Sequence, residues 1–191
     1  MRRIVPLALM LPLFACAPPP PVTTLPSDMV QGAGDPTRAA ILSSAYVFGE
    51  PDSIAGRPDL GANAVAQVEH LATVIPYGPR WVQFAPQVGQ ELMDARQELR
   101  AALGIAPDAP PQAVVDALTA ASRAWRSGDH GSAEQALRAP LFRNGHDTLL
   151  LLADLPPLPR TRTATSLANL EMNWMDHDGR DNQGGGDGGK D

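Results

Sequence analysis

The chain has 191 residues, 43% of them hydrophobic and 19% charged, with 20 prolines, 17 glycines, one cysteine and a formal net charge of −6 at pH 7. The acidic balance argues against general binding to nucleic acid, which needs a basic surface to displace counterions. The single cysteine excludes an intrachain disulfide framework and any multi-cysteine metal site. The length fits one domain that hides about two-thirds of its unfolded surface on folding.

The first residues are unlike the rest. Arg2 and Arg3 open a basic start, and Ile4 to Phe14 is an apolar run broken only by Pro6 and Pro12. Leu13-Phe14-Ala15-Cys16 closes it with a small residue before the only cysteine. Residues 1–16 therefore read as a secretory signal. The last four resemble the lipobox of bacterial lipoproteins, which implies that Cys16 is lipidated and becomes the first residue of the mature chain. Nothing else in the chain nears the roughly 18 apolar residues needed to span a bilayer. The resemblance implies membrane attachment through the lipid. Ala17 stands where an aspartate marks inner-membrane retention in diderm bacteria, so the implied address is the periplasmic face of the outer membrane.

Residues 17–35 (APPPPVTTLPSDMVQGAGD) read as a Pro-rich tether. Stretched as polyproline II at about 3.1 Å per residue, it holds a domain up to about 60 Å from its anchor. A helical domain over 36–176 follows. Asp35 is placed to cap its first helix and Pro36 suits the first turn, with Ile41, Ala45 and Phe48 on one face and Gly49 as the stop. A second helix is expected from Pro58 to Ile75, halted by Pro76, with Gly61 as a weak point. Pro76 to Pro86 packs Tyr77, Arg80, Trp81 and Phe84 between prolines.

A third helix runs from Pro86 to Leu103, with Val88, Leu92, Ala95 and Leu99 inward and Arg96, Glu98 and Arg100 on a solvated face. Residues 111–127 and 132–138 form a helical hairpin. The run Ala124-Trp125-Arg126-Ser127-Gly128-Asp129-His130, with Ala133, Ala136 and Leu137, resembles the turn of a tetratricopeptide repeat, in one copy over 111–138. Leu149 to Leu152 implies a segment buried all round, and 163–176 a last helix with Leu167, Leu170 and Trp174 inward. Residues 177–191 cannot bury anything and are expected to be disordered. No stretch alternates with period two, so the expected fold is an all-α bundle of six or seven helices with short Pro/Gly loops.

The chemistry of the domain is sparse. His70, His130, His146 and His177 share no i,i+3 or i,i+4 spacing, so no helix face offers a zinc pair, and His70 reads as a surface or capping residue. Asp176 to Asp181 fails the calcium-loop pattern, with its glycine at the fourth place and Arg180 at a ligand place. There is no GxSxG, phosphate-cradling loop or HExxH. No catalytic residue, metal or cofactor is assigned. The expected function is a non-enzymatic interaction or assembly domain with a protein partner in the envelope, using Tyr77, Arg80, Trp81 and Phe84 as contacts unless these plug the bundle. Two alternatives stand beside it. One is a periplasmic hydrolase using two or more of Glu69, His70, Glu91 and Glu98. The other is a peptide or small-ligand carrier with a groove at 76–86.

Overall fold

A computed structural model describes residues 21–29 and 34–181, and Cys16 lies outside them. Seven α-helices form an all-α bundle, with no strand among the described residues. They are α1 (Pro36–Gly49), α2 (Pro58–Tyr77), α3 (Pro86–Leu103), α4 (Pro111–Arg126), α5 (His130–Ala136), α6 (Gly145–Ala153) and α7 (Pro159–Asp181). Most of α2 is buried, because α1, α3, α4 and α6 all pack on it, and α7 closes the outside across α1 and α3.

Local signals place the helix ends. Asp35 caps α1 by accepting from the backbone N–H of Thr37 at 2.9 Å and of Arg38 at 3.4 Å. Asn144 does the same for α6, accepting from His146 N–H at 3.0 Å and Asp147 N–H at 3.3 Å. Gly104 ends α3 at φ +68°, a conformation that costs glycine little. The second helix does not stop at Pro76 but runs one residue further, and the Gly78 N–H closes it on the Val74 carbonyl at 2.8 Å. Gly61, a weak point for the isolated helix, is needed by the packing. A Cβ there would lie 2.1 Å from the Leu152 carbonyl oxygen, so the backbones of α2 and α6 meet only over a glycine.

Two expected faces are corrected. On α6, Leu149 and Leu152 are buried but Leu150 is 59% exposed, because only α2 and α5 cover that helix substantially. On α7 the buried stripe is Thr161, Ala164, Thr165, Ala168 and Met172, while Leu170 and Trp174 face outward at 64% and 65% exposure. Small residues let α7 sit close against α1 and α3, which turns its bulkier side chains away. Helix α7 also starts earlier and continues to Asp181, into the stretch expected to be disordered.

The tether reading needs the same kind of correction over its described part. Thr24 and Gln112 of α4 exchange hydrogen bonds of 2.8 and 3.2 Å. Asp28 takes Arg123 of α4 in two contacts of 2.7 and 2.5 Å, Met29 is buried, and Gln67 donates to the Met29 carbonyl at 3.3 Å. Residues 22–29 thus form a strap on α2 and α4. Its few apolar residues hid this, since hydrogen bonds, buried Met29 and partly buried Leu25 hold it in place.

Candidate functional site

Between α3 and two connections of the chain lies a cleft of about 760 Å³. One wall is the α3 face carrying Arg96, Gln97, Arg100 and Ala101, residues that share a side at helical spacing. The other wall is the α3–α4 connection at 104–107 joined to the α5–α6 connection at 139–143. Backbone hydrogen bonds of 2.9 Å, Ala106 N–H to Leu141 O and Arg143 N–H to Gly104 O, sew these connections together around an Ile105–Phe142 bridge. Ile105 and Phe142 are buried beneath the wall, and Pro107, Ala139 and Pro140 form its exposed apolar part.

Three arginines and no carboxylate line this cleft, in a chain whose net charge is −6. Each nitrogen of the Arg100 guanidinium donates a hydrogen bond. Its Nε and Nη2 donate to Glu69 of α2 at 2.7 and 2.9 Å, and its Nη1 donates to the carbonyls of Pro107 and Ala109 at 2.9 and 3.0 Å. Arg100 is 5% exposed and Glu69 fully buried, so this is a bidentate ion pair in the core that also shapes the cleft's far wall. Arg100 was expected on a solvated face; its guanidinium instead follows a carboxylate that α2 carries into the interior. Arg96 and Arg143 have no ion pair among the described residues. Arg96 keeps one buried terminal nitrogen without a hydrogen-bond partner. Burial lowers its pKa, which the Glu69 charge opposes and the Arg100 charge reinforces.

The residues singled out by sequence are mostly used by the fold. Trp81 and Phe84 are buried and meet edge to face with ring centroids 5.2 Å apart. Arg80 lies over the Trp81 ring at 5.7 Å and pairs with Asp35 at 2.7 Å. Tyr77 is partly exposed, with its hydroxyl 3.2 Å from the Met93 sulfur. Trp81 and Phe84 therefore plug the bundle, and none of the four main clefts among the described residues is lined by the tract 76–86. Glu98 holds the start of α7, accepting from the Thr161 N–H at 2.7 Å and the Arg160 N–H at 3.2 Å. Glu69, His70, Glu91 and Glu98 do not converge on any one cleft found among the described residues. No three of His, Cys, Asp and Glu among the described residues come together as a metal site.

His70 is buried, not on the surface, and bonds at both ring nitrogens. Nδ1 lies 3.0 Å from Thr23 Oγ1 on the strap, and Nε2 lies 3.2 Å from Thr37 Oγ1 on α1. The Thr73 hydroxyl donates to the His70 carbonyl at 2.9 Å, leaving its oxygen to accept from Thr23, whose oxygen lies 2.8 Å away. This ordering makes Nδ1–H the donor and Nε2 the acceptor, a neutral imidazole that ties strap, α1 and α2 together.

Burial pushes the His70 pKa from 6.5 down to about 4, with Thr23 and the Asp35 charge opposing. Between those two values the unfolded chain binds more protons than the folded one, so stability is intact above pH 6.5 and falls as the pH drops toward 4. The expected loss approaches about 3 kcal/mol. Urea denaturation at pH 7.5 and 4.5 checks it: His70→Gln should remove most of the difference, and an equally steep pH dependence in that variant would refute the assignment.

Fold and cleft together define an all-α bundle with an arginine-lined recess. No family model, curated protein or solved structure matches the chain.

Proposed function

We propose that the protein is an envelope lipoprotein, anchored by a lipid on Cys16 and presenting its helical bundle as a non-enzymatic interaction or assembly domain for an envelope protein. The observation that carries this reading is the basic start, the apolar run and Leu13-Phe14-Ala15-Cys16 ending on the chain's only cysteine. By the Ala17 resemblance the membrane is the outer one, on its periplasmic face. The strap supplies a dimension. Thr23 is held at α2, so only the chain from Cys16 to Val22 lies between lipid and bundle. At its fullest extension that stretch spans about 20 Å, not 60 Å. The bundle then works close to the bilayer, where a partner is reached at the membrane surface. The engagement of Glu69, His70 and Glu98 in ion pairs, hydrogen bonds and a helix cap favours this reading over a hydrolase.

Separating membranes from soluble protein tests the anchor. Wild-type protein is expected to sediment with membranes, and Cys16→Ser is expected to move into the soluble fraction. Retention of the variant on membranes would rule the lipid out as the anchor.

A further inference from the structure

The cleft beside α3 has no part in the anchoring argument. Its lining combines guanidinium charge, exposed apolar surface and the absence of any carboxylate. Arg96 and Arg100 are four residues apart on one helix face, and Arg143 joins them from the opposite wall. Like charges at that spacing repel, and no carboxylate pairs with Arg96 or Arg143 among the described residues. Glu69 offsets one arginine of the three, and all three nitrogens of Arg100 already donate to Glu69 or to the wall carbonyls. The recess therefore presents two unpaired guanidinium groups next to Ala101, Pro107, Ala139 and Pro140. Its volume of about 760 Å³ is that of a small-molecule site. Planar guanidinium forks suit carboxylate or phosphate oxygens, which they bind with short charge-assisted hydrogen bonds.

We infer that this cleft binds a small amphipathic oxyanion, its carboxylate or phosphate taken by Arg96 and Arg143 and its apolar part lying on the Pro107–Pro140 wall. An acidic protein gains selectivity for anions from such a local reversal of charge. A free organic acid and a phospholipid headgroup both offer this chemistry. Arg100 positions the wall through the Pro107 and Ala109 carbonyls and leaves the contact with the anion to its neighbours. The inference is independent of whether Cys16 carries a lipid, since a failed membrane assay leaves the cleft unchanged.

The test is an NMR titration of the full chain, following the backbone amides of Gly104 and Phe142. Phenyl phosphate stands for the free acid, dihexanoyl phosphatidate below its micellar concentration for the headgroup, and benzyl alcohol for the uncharged body. Saturable shifts are expected with at least one of the two acids, and the tighter of them names the source; benzyl alcohol should bind at least tenfold more weakly. Arg143→Gln and Arg96→Gln are each expected to weaken acid binding by about tenfold or more. Arg126→Gln, on the strap side of α4, should leave it unchanged. Arg143 is exposed, so its variant keeps the test decisive even if Arg96→Gln unfolds the bundle. Absence of saturation with both acids, equal binding of benzyl alcohol, or unchanged affinity in Arg143→Gln would each overturn the proposal.

Discussion

Replacing Glu69 with alanine is expected to destabilise the bundle by about 3–5 kcal/mol, a large fraction of the stability of a domain this size. The carboxylate is fully buried on α2 and receives both Nε and Nη2 of Arg100. Removing it strands a guanidinium that is 5% exposed, a buried charge with no counterion. The Arg100 Nη1 contacts to Pro107 and Ala109 should loosen as well, so the cleft wall would lose order along with the core. The pair as a whole is worth much less than this, because bringing both charges out of water offsets most of their attraction. Glu69→Leu combined with Arg100→Met is therefore expected to recover most of the loss. Urea denaturation of the two single variants and the double variant closes the cycle. A cost below about 1 kcal/mol for Glu69→Ala would mean that water reaches the pair.

Trp81→Ala is expected to cost a similar amount, about 3–5 kcal/mol, by leaving a cavity against Phe84. Its neighbour Val82 is 79% exposed, and Val82→Ala should stay within about 0.5 kcal/mol of wild type. The contrast separates a plug from a contact surface. If Trp81 served a partner, its loss would leave the denaturation midpoint in place and weaken only capture of that partner. Arg80 is the outer edge of this plug, joining the Trp81 ring to the cap of α1 through Asp35.

These two sites differ in how far they could be read from the sequence. Aromatics set between prolines at helix ends point to a plug on hydrophobic grounds alone, since burying a ring is a large gain. The Glu69–Arg100 pair has no such signal. Each residue stands on an amphipathic helix among other charges, and 31 positions separate them. Only the packing of α3 on α2 makes them partners. The cleft is hidden for the same reason, as Arg96 and Arg100 form a local i,i+4 pair but Arg143 reaches them through two joined connections. A like-charge pair on one helix face was its sole trace in the sequence.

Helix ends are local matters, and residue order alone placed most of them well. A capping Asp35, a proline in the first turn and a left-handed Gly104 act within a few residues and need no neighbour. Helical class follows equally from periodicity, because no stretch carries the alternation of a strand. The basic, apolar and cysteine-terminated start belongs to this group too, as a linear signal. Which side of a helix is buried is a different matter. Leu170 and Trp174 look like an inner face, yet close approach of α7 to α1 and α3 favours the alanine and threonine stripe. His70 and the strap complete the contrast. A histidine and three threonines scattered over 50 positions become one hydrogen-bonded joint only when strap, α1 and α2 meet, because pairwise contacts depend on distance in space and not along the chain.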